Sequence, residues 1–177
     1  MAVTDPNILE TADGLKYFPP ERQAAWIGIL QAHSELTRAL DAALSAGHGL
    51  SLSAYEVLSR LAHADGGHLR MTQLAERAQL SLSRVSRVID ALEARGLVAR
   101  RSCAGDSRVV HATITGDGRA KVAEAQETFF EVVEQRFLGR LSCDEVGQLG
   151  RLLSRLVTEP IGAQCPDAPT DGALPVS

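Results

Sequence analysis

Residues 71–96 read MTQLAERAQLSLSRVSRVIDALEARG and carry the strongest structural pattern of the chain. The spacing of its apolar residues predicts two short helices joined by a tight break near residues 79–82. In the second helix the apolar residues recur at i, i+3, i+4 and i+7 and therefore share one face: Val85, Val88, Ile89 and Leu92. Ser81 or Ser83 can cap the start of this helix, and Gly96 suits the left-handed position just past its end.

The opposite face of the second predicted helix is polar and carries arginine. Its members are Ser83, Arg84, Ser86, Arg87 and Asp90. A short helix, a tight turn and a second helix with a Ser/Arg face is the arrangement that fits a DNA major groove. A helix that docks onto protein would more often present apolar anchors, so this face favours nucleic acid.

A β-hairpin is predicted directly after this helix pair. Residues 97–103 are first apolar and then basic, with Arg100 and Arg101 adjacent. Residues 104–107 form a turn cluster, and residues 108–114 are rich in β-formers. We expect the hairpin to be the wing of a winged helix, with residues 68–70 adding a short strand and Thr115 capping the next helix.

With these pieces in place, the chain resembles the MarR family of bacterial transcription regulators. The matching motifs are the helix pair, the run LEARGLV at residues 92–98, the wing signature Asp106-x-Arg108, and Ile114-Thr115-x-x-Gly118. The resemblance extends from about Trp26 to Leu156. It implies a dimeric winged-helix DNA binder, usually a repressor that a small molecule releases from DNA.

The candidate DNA-binding residues lie on the second helix and on the wing. They are Ser81, Ser83, Arg84, Ser86, Arg87, Arg101, Asp106 and Arg108. Either Arg84 or Arg87 could fork onto a guanine edge while the other holds a phosphate. By resemblance, Arg108 enters the minor groove and Asp106 steadies the wing. The alternative is that Asp106 only helps to form the turn.

The charge of the chain is unevenly distributed. The formal net charge is −4, which is unusual for a DNA binder. Residues 70–111 nevertheless contain eight arginines and four acidic residues, which gives +4, whereas the rest contains ten basic and eighteen acidic residues, which gives −8. A basic module on an acidic body is the electrostatic footprint of a nucleic-acid binder.

The predicted fold class is mainly α with a small β wing, that is, a winged helix-turn-helix module plus a helical dimerisation region. We divide the chain into an N-terminal arm (1–19), a first dimerisation helix (20–48), the winged-helix module (51–115), C-terminal dimerisation helices (116–159) and a disordered tail (160–177). Within the arm, residues 1–17 are weakly patterned and are expected to be poorly ordered or a short extra helix. Capping boxes predict helix starts at Ser53 and Ser142.

The helices on either side of the module carry apolar stripes that are longer than the module can cover. A second copy of the chain is the simplest surface to cover them. A two-fold dimer then places the Ser/Arg helices of its two copies about one turn of DNA apart, which implies a pseudo-palindromic operator. The competing interpretation is an internal bundle that covers its own stripes.

Sequence motifs for catalysis or cofactor binding are absent. We find no phosphate-binding glycine loop, no His-Glu-x-x-His and no paired-cysteine zinc motif, so we predict neither an enzyme nor a cofactor or metal. The three cysteines have no pairing spacing. Without a signal peptide or a membrane-length apolar run, we expect a cytoplasmic protein with no membrane partner.

The effector predicted from the resemblance is a small aromatic or phenolic compound. It would lie in a crevice between the first long helix and the helix near Ser53. Aromatic and cationic side chains suit an anionic aromatic ligand, and the candidates are Trp26, His33, Arg38, Tyr55 and His63. Core packing is the alternative for each of them. Two other functions stay open: a redox-responsive regulator acting through Cys103, and a winged-helix protein-association module without an operator.

Overall fold

The computed structural model describes the backbone of residues 7–103 and 106–157, and within these ranges the side chains of all residues except 102–109. The predicted fold class is confirmed, since the described chain is mostly helical with two small antiparallel sheets. The elements in chain order are β1 (Leu9–Glu10), β2 (Lys16–Tyr17), α1 (Pro20–His48), α2 (Leu52–Ala62), β3 (His68–Arg70), α3 (Met71–Arg77), α4 (Leu82–Ala94), β4 (Val98–Cys103), β5 (Asp106–Ile114), α5 (Gly116–Arg136) and α6 (Cys143–Ser154). Short 3-10 turns occupy Asp65–Gly67 and Leu138–Arg140.

The two helices of the central stretch, α3 and α4, begin and end close to where the sequence predicts. Ser81, rather than Ser83, caps α4, because its side chain accepts a hydrogen bond from the Arg84 backbone N–H at 3.3 Å. Gly96 follows α4 with φ +72°, as predicted for a left-handed position. The tight break between the helices contains Gln79, whose φ of +53° is unusual for a residue with a side chain.

The predicted start of α2 is wrong by two residues. Ser51, not Ser53, is the N-cap, and its hydroxyl accepts from the Ala54 backbone N–H at 3.2 Å. The helix starts early because Asp41 of α1 accepts from the backbone N–H of Leu52 at 2.8 Å, so a side chain outside the local segment satisfies the first turn. Ser53 is thereby released from capping. The capping box at Ser142 is confirmed.

The N-terminal arm also differs from expectation. Residues 9–17 form a small hairpin, with Leu9 opposite Tyr17 and Glu10 opposite Lys16, instead of an extra helix. The turn of this hairpin uses Gly14 at φ +86°, a conformation that glycine adopts without strain. Residues 1–6 and the predicted tail from residue 160 lie outside the described residues.

The wing is confirmed as a three-stranded antiparallel sheet in the order β3-β5-β4. Val98 pairs with Ile114 at its base and Ser102 with Val110 further out, followed by an irregular step to the pair Cys103 and Asp106. On the other edge, His68 pairs with Thr113. Of the predicted turn cluster, Ala104 and Gly105 lie outside the described residues.

One apolar core joins the module to the ends of the flanking helices. Its fully buried large side chains come from α1, α2, α3 and α4, among them Leu44, Leu58, Leu74 and Ile89, and from Leu50 in the connection between α1 and α2. Only the C-terminal half of α1 takes part, through Leu40 and Leu44. No residue of α6 is buried. No helix in the described ranges is long and apolar enough to cross a lipid bilayer.

The first turn of α5 packs directly on the backbone at the start of the wing. A Cβ built at Gly118 would stand 2.1 Å from the Leu97 carbonyl oxygen and 2.8 Å from Ile114 Cγ1. Thr115, the N-cap of α5, fixes the start of the helix at the same place. Its hydroxyl donates to the Gly96 carbonyl at 2.8 Å and accepts from the Gly118 backbone N–H at 3.0 Å. The α5 helix therefore lies so close to the base of the wing that only glycine fits at position 118.

We predict that Gly118→Ala lowers the free energy of unfolding by about 1–3 kcal/mol or more, because a methyl group forces the helix away from a backbone carbonyl. Thermal and urea unfolding measure this loss. Gly116→Ala is the matched control, since a Cβ there meets nothing within 4 Å and alanine is the better helix former. Equal stability of the two variants would contradict the packing described here.

Candidate nucleic-acid interface

The polar face of α4 is fixed outward by the burial of its opposite face. Val85 and Ile89 are fully buried, and Leu92 is 1% exposed. Ser83, Arg84 and Arg87 are exposed on the other side. Because these three side chains are packed in the core, α4 cannot rotate about its axis without breaking this packing. The predicted Ser/Arg surface is thus a real surface of the folded chain.

The two arginines of this face are held differently. Arg84 Nη2 donates to Ser53 Oγ of α2 at 3.1 Å. Arg87 Nε donates to the Ser83 carbonyl of its own helix at 3.4 Å, near the outer limit of a hydrogen bond. Both arginines border an open groove of about 420 Å³ between α2 and α4, which is also lined by Ser51, Ala54, Val88 and Ala91.

The N-terminal end of α4 adds hydroxyl groups and one apolar side chain to the same surface. Ser81 Oγ and Ser83 Oγ lie 3.2 Å apart and are both exposed. Leu82 is 50% exposed, although it precedes the buried stripe. Leu82 lies three residues before Val85, a spacing that continues the apolar stripe, so sequence periodicity gives no sign that it is exposed. An exposed leucine beside serines and arginines suits the methyl group of thymine.

Arg100 ties the wing to α4. Its Nη1 atom lies 2.6 Å from Asp90 Oδ1 and 2.8 Å from Glu93 Oε2, and its Nη2 atom donates to the Ser86 carbonyl at 3.1 Å. The backbone N–H of Arg100 also donates to Glu93 Oε1 at 3.0 Å. Partial burial disfavours the charged guanidinium, but the hydrogen bonds and charges of Asp90 and Glu93 outweigh it and raise the Arg100 pKa above its usual range. Arg100 is therefore a link between two elements rather than a free basic group.

The remaining predicted contacts divide between the helix flank and the wing. Ser86 is half-buried and faces Arg100, since its carbonyl and its hydroxyl both accept from that guanidinium. Arg101, the next residue of β4, is exposed, as alternation along a strand requires. Asp106 and Arg108 belong to β5 beside the hairpin tip, but their side chains, like that of Cys103, lie outside the described ones.

Sequence reasoning missed Arg100 and Ser53 as parts of this surface. Arg100 was seen only as one of two adjacent basic residues. Its partners Asp90 and Glu93 lie ten and seven residues away on another element, so no helical spacing could reveal the pairing. Ser53 was assigned to a capping box, which gave its hydroxyl a different partner.

The predicted effector residues are placed on α1 and α2 but differ in their surroundings. Tyr55 is 6% exposed and stacks on Phe129 with ring centroids 4.9 Å apart, and its burial raises the pKa of its hydroxyl. Trp26, His33 and Arg38 are exposed on α1. His63 is exposed at the end of α2, where its Nδ1 lies 2.8 Å from the Ser59 carbonyl. Tyr55 thus serves the core, whereas the other four side chains are exposed.

Within the described ranges, no group of three or more His, Cys, Asp or Glu side chains is arranged to hold a metal ion. Cys143 is exposed at the start of α6, away from the wing and α4. The described surface of α4 carries hydroxyl groups and positive charge, from Ser81, Ser83, Arg84 and Arg87.

Comparison with known proteins agrees with this surface. A family model described as "MarR family" matches residues 48–109, which contain α2, α3, α4 and most of the wing. The HTH-type transcriptional repressor Rv2887 of Mycobacterium tuberculosis is 32% identical over 108 residues, which is 61% of this chain and 76% of that protein. Among solved structures, Sco3205 of Streptomyces coelicolor, a MarR family transcriptional regulator determined in complex with DNA, is 28% identical with a TM-score of 0.75, covering 79% of this chain and 91% of that one.

A further solved structure concerns a regulator with a small molecule. BpsR of Bordetella bronchiseptica, whose DNA binding is regulated by 6-hydroxynicotinic acid, is 25% identical with a TM-score of 0.67, covering 76% of this chain and 98% of that one. Sequence, fold and surface agree, and we conclude that the chain belongs to the MarR family of winged helix-turn-helix transcriptional regulators.

Proposed function

We propose that this chain is a dimeric repressor that binds a pseudo-palindromic DNA operator and is released by a small aromatic or phenolic acid. The observation that carries the proposal is the exposed Ser/Arg face of α4, which is held outward by a fully buried apolar face and joined to the wing through Arg100. The similar regulator Sco3205 was determined in complex with DNA. The rival function, a protein-association module, would require more apolar anchors than Leu82 alone on the described face of α4.

Dimerisation is supported by apolar side chains that the single chain leaves uncovered. On the N-terminal half of α1, Trp26 is 57% exposed and Leu30 is 49% exposed. At the end of the described chain, Leu152 is 56% exposed and Leu156 is 74% exposed, and on α5 Phe130 is 63% exposed. An internal bundle would bury these residues against each other. Their exposure in one chain instead favours a second copy as the cover.

We predict that Leu30→Glu converts a dimer of about twice the chain mass into a monomer, because a charge in the buried centre of an interface is strongly unfavourable. Sedimentation at micromolar concentration measures the mass. Ala24→Glu is the matched control, since it adds the same charge to an exposed position of α1 about half a turn from Trp26. A wild-type monomer with intact helicity would contradict the proposed dimer.

For base readout, we predict that Arg84→Ala or Arg87→Ala costs roughly 1–3 kcal/mol of binding and relaxes the preference at one base pair, because a bidentate arginine discriminates guanine from other bases. The duplex is one enriched from a random pool by the wild-type protein, and fluorescence anisotropy measures the affinity. Ser154→Ala, remote on α6, is the control. Equal losses on selected and random DNA for both arginine variants would show that neither reads bases.

For the wing, we predict that Arg108→Ala weakens binding and makes the negative slope of log affinity against log salt shallower by about one, because one fewer counterion is released from DNA. Arg100→Ala is the informative comparison. The Arg100 charge is already paired with Asp90 and Glu93, so its loss should weaken binding through a displaced wing and leave the salt slope nearly unchanged.

Asp106→Ala should weaken binding less than Arg108→Ala, and a silent Asp106→Asn would mean that Asp106 only forms the turn. Wild-type behaviour of Arg108→Ala across the titration would exclude a DNA contact by the wing.

The effector part of the proposal is supported by BpsR, for which an aromatic acid regulates DNA binding. We predict that at least one member of a panel of aromatic acids, with 6-hydroxynicotinic acid included, raises the melting temperature and displaces the selected duplex. Ligand bound preferentially to the DNA-free form produces both effects. Arg38→Ala should remove the response if Arg38 binds the carboxylate. If no compound of the panel raises the melting temperature or displaces the duplex, the proposal of an aromatic acid effector is contradicted.

A further inference from the structure

The side chain of Arg84 reaches from α4 to a different helix. Its Nη2 atom donates to Ser53 Oγ of α2 at 3.1 Å, across a separation of 31 residues. Within the part of the chain that the structure describes, the side chain of Arg84 makes no other hydrogen bond. A guanidinium carries five N–H donors, so this contact leaves the others available to a base edge or a phosphate.

Ser53 is able to make this contact because it has no role in capping α2. Ser51 supplies the cap, and its hydroxyl accepts from the Ala54 backbone N–H at 3.2 Å. Ser53 then lies at the second helical position with its hydroxyl toward α4, where Arg84 donates to it. The hydroxyl of Ser53 is thus committed to an inter-helix contact.

Glu56 lies three residues after Ser53 and therefore on the same side of α2. It is half-buried, and burial raises the pKa of its carboxyl group, while the positive charges of Arg60, Arg84 and His33 act in the opposite direction. Arg60 belongs to the same helix, whereas Arg84 and His33 approach from α4 and α1. The negative charge of Glu56 thus attracts the Arg84 guanidinium toward the face that carries Ser53.

Arg87 provides the contrast within the same helix. Its only described side-chain hydrogen bond runs to a carbonyl of α4 at 3.4 Å, so no other element fixes its position. A long arginine side chain loses conformational freedom when it binds DNA, and a side chain already held in place loses less. The two arginines of the polar face should therefore contribute differently to binding.

We propose that Ser53 is a positioning residue that holds the Arg84 side chain in place before DNA binds, so that α2 helps to determine which base or phosphate Arg84 contacts. This inference rests on the proposed DNA-binding function but adds a residue outside the recognition helix to it. Substitutions on α2 should then alter sequence preference without touching DNA themselves.

The first test needs no DNA. Nuclear magnetic resonance relaxation of the Arg84 Nε–H group in the free protein reports the mobility of its side chain on the nanosecond scale. We expect Ser53→Ala to increase this mobility and Ser53→Thr, which keeps the hydroxyl, to restore it. Ser59→Ala is the matched control, since Ser59 lies on α2 and pairs with His63 instead. Unchanged Arg84 mobility in Ser53→Ala overturns the proposal.

The second test measures binding to the duplex selected from a random pool and to a scrambled duplex. We expect Ser53→Ala to weaken binding to the selected duplex by about 3- to 10-fold, the usual effect of one hydrogen bond, with little change on the scrambled duplex. In an Arg84→Ala background, Ser53→Ala should have no further effect, because the group that Ser53 positions is gone.

The outcomes separate the two proposals. If Ser53→Ala still weakens binding to the selected duplex by the same factor in the Arg84→Ala background, Ser53 acts through a group other than Arg84, and the positioning role is overturned. Wild-type affinity of Ser53→Ala on the selected duplex would overturn it as well. If the random pool yields no enriched duplex, the proposed DNA-binding function fails, while the mobility measurement still decides whether Ser53 holds Arg84.

Discussion

The burial of one side of α4 fixes the positions of the elements around it. Val85, Ile89 and Leu92 fill the centre of the core, so they fix both the position and the rotation of the helix. The burial of each such side chain contributes about 1.5–3 kcal/mol, far more than any single contact on the exposed face. The polar side can therefore be specialised for DNA without weakening the fold, because stability and recognition are assigned to opposite faces of one helix.

Two arginines of the basic module, Arg95 and Arg100, and the nearby Arg119 make contacts that join elements of the fold. Arg100 is paired with Asp90 and Glu93, and Arg95 donates to the Gly49 carbonyl at the end of α1 at 2.8 Å. Arg119, at the start of α5, likewise donates to the Ala62 carbonyl at the end of α2 at 3.0 Å. A count of basic residues thus overestimates the positive charge that DNA meets. Arg84, Arg87 and Arg101 are exposed and make no ion pair within the described residues.

Local signals predicted most of the fold correctly, and the errors share a cause. The start of α4, its left-handed end at Gly96, the three strands of the wing and the cap at Thr115 each depend on neighbouring residues, which sequence patterns report. The start of α2 was wrong because Asp41, eleven residues earlier, accepts from the Leu52 backbone N–H. The N-terminal arm was wrong because two-residue strands are too short to show alternation.

The class of the protein could be read from local properties of the chain: the periodicity of α4, the hairpin that follows it, and the glycine and serine residues at helix ends. The use of individual side chains, in contrast, depends on how the elements pack. The Arg84–Ser53 contact, the Arg100 link to Asp90 and Glu93, and the stacking of Tyr55 on Phe129 join residues of different elements. Such partners are set by the angles and distances at which helices and strands pack, and these do not follow from spacing along the chain.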